Sequence, residues 1–324
     1  MFGRRADGRR VKNLMVIEKA GPFFMPERID GVNLYKQAIR CKPLDEFILK
    51  ERQENGVHFN YTEILIAACV RMIYERPKTN RFIVNCQIYQ RNEITVSMAV
   101  KPRLTDDADE ITLKFHFTGR ENIYEVKKIV DDEIARNIGK NVTTVHETTK
   151  AAGVLGKMPY WMFKVAMKII RFFDRYGLLS KSLIDASPFH TSIFVTDLKS
   201  IKLGKVYHHL YNFGTTTMFG ALGKVEYVPV SDRDGNIRTE KIMELGLSLD
   251  ERVADGLYYG NSVRLLTKYL DNPEVLKQSI AEEEVKGKGK KMSQKKLEKK
   301  ERRLQKKKER MEKKIAKNNK LIAA

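Results

Sequence analysis

In LDERVADGLYYG, residues 249–260, two acids stand four positions apart, Glu251 and Asp255. The segment leading into them, KIMELGLSLDE, alternates, with Met243, Leu245, Leu247 and Leu249 on one face. That pattern predicts a half-buried strand that ends at Glu251. LYYGNSVRLLTKYL then reads as a helix closed by DNPEVL. Two acids at a strand end look like a site, and the question is which group there would move protons. An ordinary carboxyl of pKa about 4.3 faces a thiol of about 8.5, where an imidazole of about 6.5 is closer by about two units. The shortfall is about 3 kcal/mol, or roughly a hundredfold in base strength, and burial of the carboxylate narrows it.

Other chemistries are excluded by what is missing. GALGK lacks the spacing and the Ser or Thr of a phosphate-binding loop, and KGKGKK is not set between a strand and a helix. There is no HExxH and no GxSxG elbow. Cys41, Cys69 and Cys86 are an odd number without CxxC spacing, which suggests neither a disulfide framework nor a zinc site and fits a reducing, cytoplasmic setting. No metal is expected.

The elements that must position the acids interleave. KPLDEFILKERQENG reads as a helix stopped at Gly56, and Thr62 is a candidate cap for a buried helix through EILIAACVRMIYERP that ends at Pro77. EITVSMAVK and EITLKFHFTG alternate as strands on either side of the polar PRLTDDADE, with His116 on the solvated face of the second. ENIYEVKKIVDDEIARNIG is an amphipathic helix. In GVLGKMPYWMFKVAMKIIRFFDRYGLL, Lys164, Lys168, Arg171 and Arg175 form a narrow basic stripe. A mostly buried helix with one wet face is the plainer reading, and contact with a membrane surface or an anionic ligand is the other. HTSIFVTDL, which His190 opens, and TTTMFGALGKVEYVPV complete the strands. Strands and helices alternating over some 270 residues indicate an α/β body.

The net charge of +20 is uneven, because residues 286–320 hold 18 Lys or Arg against four Glu. This tract has one apolar position per heptad, at Leu297, Leu304 and Met311, half of what a coiled coil needs. A solvated helical or disordered tail is expected, able to bind RNA or another polyanion without regard to sequence. No stretch approaches the length of about 20 apolar residues that a transmembrane helix needs.

The motif Asp250-Glu251-Arg252-Val253-Ala254-Asp255-Gly256 resembles the signature Asp-His-Arg-x-x-Asp-Gly of the superfamily that contains chloramphenicol acetyltransferase and the catalytic domain of the 2-oxo-acid dehydrogenase acyltransferases, with Glu251 in the place of the histidine. SIFVTDL followed by FGALGKV is similar to the family's Thr-Ile-Ser-Asn-Leu-Gly strand and the strand after it. NYTEILIAACVRMIYERPKTNRFIV is similar to its early helix ending Pro-x-x-Asn, and the likeness spans residues 26–278. Nothing resembles a lipoyl or subunit-binding module, so no lipoyl attachment is expected within the chain.

The resemblance implies a two-layer α/β sandwich with a mixed sheet covered by helices, a homotrimer, and a site in a channel between subunits that takes coenzyme A or acyl-CoA as substrate. Residues 1–25 would be a basic arm, 26–280 the acyltransferase-like domain and 281–324 the tail. By position, Glu251 would replace the catalytic histidine, Asp255 would be structural, and Thr196 would stand where a hydroxyl steadies the oxyanion. Asp197 and Lys199 depart from the family's Asn and Gly. His208 and His209, in a loop that the family folds near its channel, are a substitute source of base, though adjacent loop histidines are commonly ordinary polar residues. The alternative is a scaffold that binds acyl-CoA, or RNA through its tail, without turnover.

Overall fold

The computed structural model describes residues 5–101, 111–138, 159–232 and 234–280. It divides into one unit over Met1–Lys277 and a second over Gln278–Ala324. The second holds the basic tract, so the tail, like the PRLTDDADE loop, lies outside the described residues.

The alternation before Glu251 does build a strand, β9 (Ile237–Asp250), longer than predicted and paired along its length with β8 (Met218–Ser231). They belong to a six-stranded mixed sheet of order β2-β9-β8-β7-β5-β6, with β2 at Val32–Arg40, β5 at Ile94–Val100, β6 at Ile111–Phe117 and β7 at Ile193–Asp197. β5, β7 and β8 run parallel and the other pairs antiparallel. Met243, Leu245, Leu247 and Leu249 point into the core with Val96, Leu113 and Val195, as period-two alternation requires.

One face of this sheet is covered by α2 (Cys41–Asn55), α3 (Tyr61–Glu75), α4 (Ile123–Ile138) and α7 (Gly256–Asp271). Gly56 ends α2 in the left-handed region at φ 67°, where a side chain would be strained. α3 is buried nearly all round, and its cap is Asn60 rather than Thr62. The Asn60 side chain accepts from the Glu63 amide at 2.9 Å, and Glu63 accepts from the Asn60 amide at 3.0 Å. Thr62 instead donates to Asp197 at 2.8 Å, tying α3 to the end of β7.

The N-terminal stretch contributes structure of its own. β1 (Gly8–Arg10) joins β4 (Gln87–Arg91) and β3 (Arg81–Val84) in a small sheet, and α1 (Val16–Phe24) follows. A second departure concerns α5 (Tyr160–Arg175): the sequence predicts a mostly buried helix, yet Asp174 is its one buried residue. A short α6 (Lys181–Ala186) leads on to β7.

The sheet's other face carries Phe194 and Phe219, on which Leu210 packs from the segment running from Leu203 to Phe213. Two strand glycines let that segment lie close. A Cβ on Gly246 would overlap the Val206 carbonyl, and one on Gly223 would stand 2.8 Å from the Lys205 amide nitrogen. The second glycine of GALGK, Gly223, therefore serves close backbone approach.

Candidate active site

Glu251 follows the last residue of β9 and begins a tight turn into α7. Three neighbours fix that turn. Asp250, fully buried, receives a bidentate ion pair from Arg252, with Nε to Oδ1 and Nη2 to Oδ2 both at 2.8 Å. Arg252 Nη1 also donates to the Met25 and Pro26 carbonyls at 3.0 and 3.2 Å. Arg28 stands 3.9 Å from Asp250 Oδ2 and donates to the Thr216 and Gly214 carbonyls. Burial pushes the Arg28 guanidinium down to about 10, with Asp250 opposing that shift. Gly31 must be a glycine here, since its Cβ would sit 2.7 Å from Arg252 Cγ.

Asp255 caps α7, accepting from the Tyr258 amide at 2.8 Å. Replacing it with Ala should cost about 1 kcal/mol and replacing it with Asn very little, since Asn caps as well. Urea unfolding of the two variants measures this, and an Asn variant as weak as the Ala variant would mean that the carboxylate does more than cap.

Held this way, Glu251 points outward and is exposed. Its amide donates to the Gly31 carbonyl at 2.7 Å, and its Oε2 accepts from Asn33 Nδ2 at 2.9 Å. The sequence reading asked for a sheltered carboxylate, and the single chain does not supply the shelter. Asn33 was not foreseen. It meets Glu251 only because β2 pairs with β9 in the register Val32 to Asp250.

The other predicted residues are not gathered around Glu251. Thr196 lies level with Ala221 of β8 and through it with Gly246 of β9. That is five residues before Glu251, or about 17 Å along the strand at about 3.4 Å per residue. Asp197 and Lys199 rebuild the turn after β7: Asp197 accepts from the Lys199 amide at 3.0 Å and caps a single 3-10 turn, Leu198–Ile201.

His208 stacks on Phe219, with ring centroids 3.9 Å apart and planes at 7°. Phe219 pairs with Ser248, about 10 Å along the strand from Glu251. His209 is exposed, and burial followed by the neighbouring His208 lowers its pKa, favouring the neutral ring. His190 is buried, with Nδ1 2.7 Å from Ser187 Oγ and Nε2 3.3 Å from Asp174 Oδ1, and burial lowers its pKa. His116 meets Glu93 at 3.2 Å. With Asp185 these two bring three possible ligand atoms within 4.8 Å of one another, but Lys181 bridges Glu93 and Asp185 at 2.8 and 3.0 Å. That arrangement is an ion-pair cluster.

A cleft of about 430 Å³ lies beside the turn, lined among others by Pro26, Arg28, Arg252, Phe213 and Cys86. Arg252 reaches it, whereas Glu251 is not among its lining residues.

Comparison with known proteins places this arrangement. Residues 216–277, which hold β8, β9, the turn and α7, match the family model described as 2-oxoacid dehydrogenases acyltransferase (catalytic domain). No curated protein matches the sequence. Among solved structures, a probable dihydrolipoamide acetyltransferase from Listeria monocytogenes 4b F2365 aligns over 81% of this chain and 94% of its own, with TM-score 0.50 and 13% identity. The cubic core of the pyruvate dehydrogenase multienzyme complex aligns over 83% and 94%, with TM-score 0.52 and 12% identity. The dihydrolipoamide acetyltransferase of Azotobacter vinelandii, studied for the role of a serine, a histidine and an asparagine in its catalytic mechanism, aligns over 83% and 94%, with TM-score 0.51 and 13% identity. The resemblance drawn from the motif holds, and the chain has the fold of these cores.

Proposed function

We propose that this fold works here as an acyltransferase that moves an acyl group between coenzyme A and an acceptor, with Glu251 as the base, in a homotrimer whose sites are completed across subunit boundaries. The observation that carries the reading is the turn. Asp250 accepts from the Arg252 amide, Arg252 donates to the Met25 and Pro26 carbonyls and Asp255 caps α7, which leaves residue 251 as a polar side chain pointing outward where the resembling family has its histidine.

The distance along the sheet from Glu251 to Thr196 supports a shared site. One chain cannot bring both to a single reacting carbonyl, so the hydroxyl comes from a neighbouring copy, whose surface also covers Glu251. In the reaction, the Glu251 carboxylate takes the proton of the acceptor's thiol or hydroxyl as that atom attacks the thioester carbonyl. The tetrahedral oxyanion forms beside Thr196 of the neighbouring copy. As the carbon–sulfur bond breaks, the departing CoA thiolate takes the proton back from Glu251. Asn33 orients the carboxylate through its hydrogen bond.

The test is a free-thiol assay with a panel of acyl-CoA esters and small thiol, hydroxyl and amine acceptors. Saturable, acceptor-dependent CoA release supports the reading. The position of Glu251 outside the cleft favours a second reading, an acyl-CoA-binding scaffold without turnover. That reading expects CoA binding by calorimetry with no thiol release across the panel.

A further inference from the structure

Two helices turn apolar faces to the outside. On α5, Trp161, Val165, Ile169 and Phe172 recur at helical spacing along one stripe, all exposed and Trp161 at 67%. Beside that stripe run Lys164, Lys168, Arg171 and Arg175, all exposed. The third side, with half-buried Ala166, Met167 and Ile170 and buried Asp174, faces the body of the protein. On α1, Val16 at 86%, Ile17, Phe23 and Phe24 at 75% are exposed, while Glu18 on another side pairs with Lys78 and Arg81. Pro22 of α1 and Arg171, Asp174 and Arg175 of α5 line the same cleft, so the two helices are neighbours.

We propose that this face lies on a bilayer surface carrying anionic headgroups. The aromatic and aliphatic stripe would rest among the upper acyl chains, with the four cations at the level of the phosphates. A helix with Lys and Arg along one side and Trp and Phe along the next lies in the plane of such an interface. Charge selects this occupant. A second copy related by a two-fold axis would set one basic stripe against another, while a three-fold contact joins unlike surfaces and is told apart by dilution; lipid phosphate complements the stripe. α5 brings no acid to the surface, since its one acidic residue, Asp174, is turned inward and held by Arg5 at 2.7 Å. This surface is independent of acyl transfer.

The chain carries its own reporter, because Trp161 is its single tryptophan. The full-length protein is mixed with vesicles of phosphatidylcholine containing about one third phosphatidylglycerol, and with phosphatidylcholine alone. With the anionic vesicles, Trp161 emission should move to the blue and be quenched by brominated acyl chains; with the neutral ones the change should be small. Val165→Ser combined with Phe172→Ser should weaken flotation with the anionic vesicles by at least about tenfold. Lys164→Glu combined with Lys168→Glu should do the same. Flotation with unchanged Trp161 emission would assign binding to the basic tract and overturn the proposal. Emission already blue without lipid, moving to the red on dilution, would place a second copy on the face and overturn it as well, as would absence of binding.

Discussion

Glu251→Gln should lower acceptor-dependent CoA release by at least about a hundredfold, the range that general base catalysis contributes. The substitution keeps the shape of the side chain and an oxygen able to accept from Asn33, and it removes only the capacity to take a proton. Stability should change by less than about 0.5 kcal/mol, because the residue is exposed and the turn is held by its neighbours. A loss in kcat with little change in KM is the signature of a group that acts in the transition state. Glu251→His should retain or raise activity, since imidazole is the better matched base for a thiol. Full activity in the Gln variant would remove Glu251 from the mechanism and return attention to His208 and His209.

Arg252→Met should destabilise the protein by about 3 kcal/mol or more, because it strands a fully buried carboxylate. Arg28, 3.9 Å away, remains a partial partner and keeps the loss toward the lower end of the range of about 3–5 kcal/mol for broken buried pairs. Removing both partners with Asp250→Leu and Arg252→Met should recover only part of the loss, since Arg28 is then left as a buried cation held by the Thr216 and Gly214 carbonyls alone. Denaturant midpoints of wild type and variants measure this. Equal damage from single and double variants would mean that the stranded Asp250 carboxylate is not the source of the loss, and that the carbonyl contacts of Arg252 or the Arg28 charge left behind account for it.

The parts of the fold that the sequence disclosed are those in which one element's periodicity suffices. Leu245 and Leu247 announced a strand with one buried face, and Gly56 and Pro77 marked stops, because backbone conformation at those residues is set locally. Pairing lies beyond that reach. Asn60 and Thr62 are both capping types, and the choice rested on a reciprocal bond with Glu63 that places only Asn60 correctly. Asn33 stands 218 positions from Glu251, and strand register alone joins them. The inward side of α5 was hidden for a related reason: apolar residues lie on two of its sides, and the contacts of Asp174 with Arg5 and His190 decide which one turns inward. Within the motif, residue types disclosed Asp250, Arg252 and Asp255 as a set, while their division of labour needed coordinates.

The union of Arg5 with Asp174 also bears on the order of assembly. It closes a span of 169 residues, so Arg5 leaves the ribosome long before the helix that carries Asp174 has been made. Until then, Asp7 is the partner that neutralises Arg5 from within its own neighbourhood. The N-terminal segment is thus the part that waits, carrying a charge pair whose second acid arrives only with α5.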